Sequence, residues 1–372
     1  MKTHTKVLRF RLKDRHAAAL CRQAREVNLV WNFCNDLSIK VFQREHRFMS
    51  GYDFAEYTKG AGKEGMSLHS QTIQAIAEEY AKSRKQAKKV RLAWRKSGGA
   101  RRSLGWIPFK ASALSYRNGQ IHVSGLKTPL SLWDSYGLAD IIRMNPKLGS
   151  GSFSEDARGR WYLNLCVKVK QEPTVMPVEA IGIDLGLKEF AVGVSDCGTV
   201  IREESEKFYR ALEGELGLAQ RANKKQRVRA IHAKIKAQRQ DALHVLSTEL
   251  VKQYGAIFVG NVNASGLAKT KMAKSVLDAG WSSFRTMLQY KCAHAGSWFE
   301  EINESFSTQT CSCCWTRGSE NNGSPKGRAG LGIREWTCTE CGTHHDRDEN
   351  AAKVILARGH ARLAVGIPVL SA

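Results

Sequence analysis

Residues 6–12, KVLRFRL, alternate apolar Leu8, Phe10 and Leu12 with basic Arg9 and Arg11. That period of two predicts a half-buried strand with a cationic outer face. The period then lengthens. After Asp14, the residues Leu20, Ala24, Val27, Trp31 and Cys34 recur at spacings of three and four, which predicts a helix. Residues 51–66 are Gly-rich and read as a loop. A long helix is predicted from about Ser70 to Arg95, with Ile73, Ile76, Tyr80, Ala87, Val90 and Trp94 on one stripe. Short strands follow. Residues 115–117 and 120–123 flank Asn118-Gly119, a two-residue hairpin signal, and residues 161–169 place Trp161, Leu163, Leu165, Val167 and Val169 on one side.

The two prolines of QEPTVMPV (171–178) mark a linker, and the pattern changes beyond it. Strands are predicted at AIGID (180–184), FAVGVS (190–195), residues 199–202, AIFVG (256–260) and WFEEIN (298–303). Helices are predicted over 205–253, 270–296 and 348–358. Strands alternating with helices predict an α/β layer architecture with parallel strands. No internal repeat interrupts this order.

Charge changes the picture more than composition does. Hydrophobic residues are 42% of the 372 and charged residues 25%, ordinary for a globular chain. The 58 Lys and Arg against 35 Asp and Glu leave a net +23. Such a field points to a polyanionic partner, nucleic acid before an anionic membrane. No run of about 18 apolar residues occurs, and MKTHTKVLRFRL has no apolar signal core. A soluble, cytoplasmic protein is the expectation. The basic residues cluster along the strand at 6–12, around Lys82–Lys96, and through the helical block at 221–239.

Five of the ten cysteines (Cys21, Cys34, Cys166, Cys197 and Cys292) are scattered and read as small buried hydrophobes. The rest gather between 311 and 341. Cys311-x2-Cys314 and Cys338-x2-Cys341 are two knuckles joined by a loop carrying Gly323, Pro325, Gly327 and Gly330. Thiolates two residues apart reach one ion from a tight turn, and two such turns complete a tetrahedral, closed, structural zinc shell. Cys313, His344 and His345 are alternative ligands by position.

Asp184 ends the strand IGID at what would be a sheet's C-terminal edge, where ligands bind in open α/β sheets. Asp346 and Asp348 open the last helix in HDRDENAA, where either is a candidate N-cap. Carboxylates from distant segments are what a Mg²⁺-dependent phosphodiester cut needs. Asp196 and Asp278 are reserve ligands. Arg334, Trp336 and Arg347 are positioned either for packing or for nucleic acid.

Several segments resemble one family. GIDLGLKEFAV, KIKAQRQDALHVLS, GWSSFRTMLQYK, STQTCSCC, LGIREWTCTECG and HDRDENAAKVIL are similar to TnpB, the OrfB-type family of insertion sequences related to type V CRISPR effectors. The resemblance is close from 178 to 360 and looser over 1–177. It implies an α+β multidomain chain. A β-barrel wedge domain would span 1–50 and 104–172, with a helical recognition insert at 51–103. A RuvC-like, RNase H-like nuclease domain would span 178–306 and 346–372, with a zinc ribbon inserted at 307–345.

The implied activity is RNA-guided cutting of double-stranded DNA beside a short adjacent motif, with Mg²⁺ or Mn²⁺ and a guide RNA from the transposon end. Zn²⁺ would be structural. The setting would be the prokaryotic cytosol or nucleoid, with no small-molecule substrate, no membrane and no identified protein partner. The older family label of transposase implies strand transfer, and no strand joining is expected. The nucleic-acid contacts expected are Arg9, Arg11, Lys85, Lys88, Lys89, Arg221, Lys224, Lys225, Arg227, Arg229, Lys236 and Arg239.

The family's triad of Asp, Glu and Asp maps to Asp184 and to Asp348, with Asp346 as the fallback. The middle Glu falls at Gly260. Two readings follow: a nuclease-inactive, RNA-guided DNA-binding protein, or a glutamate relocated to Glu304, directly after the fifth strand. Glu301, inside that strand, is expected to face away from the edge.

Overall fold

The computed structural model describes residues 3–61, 65–144, 148–170, 177–317, 324–325 and 329–365. The chain divides into two compact units, Met1–Gln171 and Glu172–Ala372.

In the first unit, β1 (Thr3–Leu12) is followed by helices α1 (Ala17–Glu45), α2 (Asp53–Thr58) and α3 (Ser70–Ala87). Strands β2 (Trp106–Phe109), β3 (Leu114–Arg117), β4 (Gln120–Val123) and β5 (Leu132–Trp133) come next. Helix α4 (Leu138–Met144) and strands β6 (Gly151–Glu155) and β7 (Trp161–Lys170) complete it. The sheet order is β2-β6-β7-β1-β5, antiparallel throughout. Among the described residues this ladder does not close on itself. The predicted alternation holds: Leu8, Phe10, Leu12, Trp161, Leu163, Leu165 and Val167 are buried and Arg9 is exposed. Asn118 and Gly119 both take positive φ in the β3–β4 turn, as a two-residue hairpin requires.

Two expectations fail in this unit. The 51–66 stretch contains α2, whose Phe54 is buried against Tyr80. The helix predicted over 70–95 stops at Ala87, with Lys88 left-handed at its end. The chain then runs extended beside α1, held by side-chain-to-backbone pairs. Asn35 accepts the Leu92 N–H (3.0 Å) and donates to its carbonyl (2.9 Å). Asn32 does the same for Arg95, at 2.8 and 2.9 Å. Asn28 takes the Arg95 guanidinium at 2.6 Å. Side-chain amides substitute for a neighbouring strand, so tertiary pairing overrides the helical stripe. Val90 and Trp94 are therefore exposed, whereas Tyr80 is core.

The second unit carries β8 (Ala180–Leu185), β9 (Glu189–Ser195), β10 (Val200–Glu204), α5 (Phe208–Arg221), α6 (Lys225–Gln253) and β11 (Ala256–Gly260). Then follow α7 (Ala264–Leu267), α8 (Ala273–Ala279), α9 (Trp281–Ala295), β12 (Trp298–Ile302), β13 (Glu335–Thr337), β14 (His344–Asp346) and α10 (Arg347–Val365). The sheet order is β10-β9-β8-β11-β12. Strands β8, β11 and β12 are neighbours and parallel, but β9 and β10 join antiparallel, so the sheet is mixed rather than parallel throughout. The predicted 270–296 helix is broken at Gly280, which takes a left-handed φ of 73°. No helix among the described residues is long and apolar enough to cross a membrane.

Helix α10 lies flush on the sheet because two glycines allow it. A Cβ on Gly182 would meet the Ala352 carbonyl oxygen and come within 2.5 Å of the Leu356 amide nitrogen. A Cβ on Gly359 would strike the Phe258 ring. Gly182→Val is expected to cost about 1–3 kcal/mol by overpacking, read as a thermal midpoint lower by several degrees. An unchanged midpoint would show that the helix can back away freely.

Candidate active site and metal centre

Strand β8 delivers Asp184 one residue past the Ile183–Val259 pair, beside the end of β11. Strand β12 pairs its Ile302 with Gly260, and Glu304 follows two residues later. The Glu304 N–H donates to Asn261 Oδ1 at 3.2 Å, which turns the chain back over β11. A Cβ built on Gly260 would stand 2.7 Å from Glu304 Oε2 and 3.4 Å from Glu304 Cβ. The carboxylate of Glu304 thus fills the space that a side chain at 260 would enter. Glu301 pairs with Arg285 at 3.2 Å.

At the other side of the site, α10 begins with a division of labour. Asp346 accepts the N–H groups of Asp348 and Glu349, both at 2.9 Å, and is the N-cap. It also faces Arg202 at 3.1 Å. Burial would raise its pKa, but the Glu349 N–H and Arg202 outweigh it and hold the carboxyl below its ordinary value. Asp348, released from capping, pairs with Arg334 at 2.6 Å.

Asp184, Glu304 and Asp348 share one electrostatic environment. Burial pushes Asp184 well above the usual carboxylate range, and the charges of Glu304 and Asp348 push it further, with Arg347 opposing. Burial also raises Glu304, against the pull of Arg285. Asp184 and Glu304, both pushed up, and Asp348, whose charge acts on Asp184, are hard oxygen donors of the kind that suits a divalent cation, whose charge would relieve that repulsion.

Arg285 and the Arg334–Asp348 pair were not read as parts of this site from the sequence. Arg285 sits in a helix with no pattern to single it out, and Arg334 is joined to Asp348 only by the ribbon's fold. Asp278 is no metal ligand: both its oxygens accept the Tyr209 N–H, at 3.0 and 2.8 Å. Asp196 accepts the Ala180 N–H and pairs with His360 at 2.7 Å.

The four cysteines converge. Their sulfurs all lie within 4.8 Å of one another, and this is the one group of three or more such ligand atoms among the described residues. The three carboxylates are more widely spaced. Cys311 and Cys341 are 3.6 Å apart, Cys314 and Cys338 3.7 Å. A tetrahedron of Zn–S bonds of about 2.3 Å has edges of about 3.8 Å, so the thiols fit the ion. The two knuckles repeat one pattern: Cys311 and Cys338 donate their N–H to Thr316 and Thr343 carbonyls, at 3.2 and 2.9 Å. Cys313 is exposed and outside the group. His345 is near, with Nε2 3.0 Å from Cys311 Sγ, and packs on the buried Trp336. His344 pairs with Thr337 and Glu335 instead. Of the scattered cysteines, Cys34 and Cys292 are buried and their thiols are pushed up to about 12. Cys21 and Cys166 are half-buried, and Cys197 is exposed, against expectation, beside Glu179.

Most of the expected basic contacts are exposed. Arg9 stands over the Tyr162 ring at 3.9 Å, and Arg11 is half-buried near Asp14. Lys85, Lys88 and Lys89 surround the end of α3. Arg221, Lys224, Lys225, Arg227, Arg229 and Lys236 are exposed on the α5–α6 hairpin, whose own small core is Leu212, Leu216, Ala219, Ile231 and Ile235. Arg227 pairs with Glu215. Arg239 departs from expectation: it is half-buried and donates to the Leu277 carbonyl at 2.9 Å, stitching α6 to α8.

The family described as "Probable transposase" (OrfB_IS605) matches residues 164–271, and the family "Cas12f1-like, TNB domain" matches 281–355. A Streptomyces pristinaespiralis protein named "Putative RNA-guided DNA endonuclease" is 32% identical over 269 residues, covering 69% of this chain and 63% of that protein. "Putative RNA-guided DNA endonuclease InsQ" of Escherichia coli K12 is 26% identical, covering 57% of each. The chain thus spans less than two thirds of the length of these curated relatives. In fold, it resembles the protein in a cryo-EM structure of a Cas12f1–sgRNA–target DNA complex, with a TM-score of 0.61 at 12% identity, over 95% of this chain and 98% of that one.

Proposed function

Because the chain belongs to the TnpB family, we propose that it is an RNA-guided DNA endonuclease with Asp184, Glu304 and Asp348 as its cutting carboxylates. The observation that supports this reading is the Glu304 carboxylate over Gly260, the position to which the family's middle glutamate maps, with its charge acting on Asp184. An inactivated site would have no cause to keep a third acid there.

Asp184, Glu304 and Asp348 would hold two divalent ions, Mg²⁺ or Mn²⁺, which activate the attacking water and steady the leaving oxygen. Asp346 fixes the pitch of α10 and so aims Asp348. Arg334 and Arg347 hold positive charge at the rim, where a scissile phosphate would enter. The four cysteines would hold Zn²⁺ and give the ribbon its shape. The first unit, read as a wedge with a recognition insert, and the hairpin tip at Arg221–Arg229 would bind the guide RNA and target DNA through their backbones.

The test is a purified complex with its co-purifying RNA, given double-stranded DNA matched to that RNA. Cutting is expected with Mg²⁺ or Mn²⁺ and none after chelation. Guided binding without cutting in either metal would establish the binding-only reading instead.

A further inference from the structure

The strap at residues 88–97 is more than a connection. Its backbone is pinned to α1 by Asn32 and Asn35, and the Arg95 side chain turns inward to Asn28, with its guanidinium 5.8 Å from the rings of both Trp31 and Trp106. Arg95 donates onward to the Leu104 carbonyl at 2.8 Å. With one face so fixed, the other is fixed outward. Trp94 is 48% exposed, with no hydrogen bond or ring contact among the described residues. It closes an open groove of about 490 Å³ lined by Lys89, Val90, Arg91, Leu92 and Ala93. Lys88, Lys89, Arg91 and Lys96 are exposed around it, and among the described residues none has a carboxylate within 4.0 Å.

A large indole kept in water on a rigid backbone, ringed by unpaired cations, matches one chemistry: an unpaired nucleobase stacked on the ring while its flanking phosphates meet the cations. Core packing does not explain Trp94, because about half of its surface stays open to solvent. We propose that Trp94 is a base-stacking platform for an unpaired nucleotide, and that the asparagine clamp exists to hold it ready. This rests on the proposed nucleic-acid function and adds to it a specific contact.

The experiment compares parent, Trp94→Ala and Trp94→Phe chains binding labelled oligonucleotides of about ten nucleotides. The arms are single-stranded RNA, single-stranded DNA and the duplex of the same sequence. Trp94→Ala is expected to weaken single-strand binding roughly 5- to 150-fold, with Trp94→Phe close to the parent and the duplex arm unchanged. A loss in the RNA arm alone assigns the base to a guide, and in the DNA arm alone to a target strand. The proposal is overturned if neither single-strand arm weakens, or if the duplex arm falls equally. A parent that binds no nucleic acid overturns the proposed function along with it. A parent that binds but never cuts removes the nuclease reading and leaves the platform standing.

Discussion

Glu304→Ala is expected to lower the cutting rate by roughly 10³-fold or more, because a metal-holding carboxylate supplies several kcal/mol to the transition state. Guide and target binding should stay near parental, since Glu304 is an acid and not one of the exposed basic residues expected to meet nucleic acid. The sharper form of the test uses the second position. Placing a glutamate at 260 in the parent puts a Cβ 2.7 Å from Glu304 Oε2, so Gly260→Glu alone should be harmful. In the Glu304→Ala background that obstacle is gone, and the nearest remaining atoms are Ile355 Cδ1 at 3.2 Å and the residual Cβ at 3.4 Å. The double variant is therefore expected to recover part of the lost rate. Glu304→Ala cutting like the parent would remove Glu304 from the site. An inactive double variant beside an inactive single one would show that the two positions are not equivalent in space.

Cys338→Ala should be comparably damaging by a different route. Cys338 is fully buried and paired across the knuckles with Cys314. Removing one of four thiolates forfeits most of a binding free energy on the order of 10–16 kcal/mol that is also folding free energy. The damage should spread, because Asn350, two residues beyond Asp348, ties the first knuckle to α10. Its amide donates to the Ser307 and Thr310 carbonyls (3.2 and 2.8 Å), and its oxygen accepts the Ser312 N–H at 2.9 Å. The variant is expected to purify with almost no zinc, to be clipped by protease within the ribbon, and to cut poorly while the first unit still melts as in the parent. One zinc per chain with full cutting would assign the metal elsewhere.

Much of this molecule was legible wherever local pattern and tertiary environment agree. The period-two runs at Leu8–Leu12 and Trp161–Val167 became strands with those residues inside. The doubled C-x2-C spacing became a cluster of sulfurs. Asp184 and Glu304 were readable as residues at neighbouring strand ends because parallel strands share one edge. What failed was decided at long range. Nothing within 70–95 says that the helix stops at Ala87. The cause is three asparagines on α1, each on a face that looks merely polar. Arg239 was counted with its basic neighbours because charge patterning cannot distinguish a free guanidinium from one that caps the Leu277 carbonyl. Likewise the sequence prefers Asp348 as the acid with Asp346 as the fallback but leaves either as the N-cap, and the hydrogen bonds at the start of α10 assign the cap to Asp346.

If Glu304 holds the metal as proposed, the pair formed by Gly260 and Glu304 would also act as an evolutionary ratchet. Once the acid arrives from the fifth strand, the older position must remain without a side chain, since both carboxylates claim the same few ångströms. Return by a single substitution passes through a crowded, doubly charged intermediate, so the lineage is held to its new arrangement. Descendants of such a chain would look inactivated in any column-by-column inventory of triads. On the proposed reading, the quantity under constraint is the location of an oxygen atom rather than the chain position that supplies it.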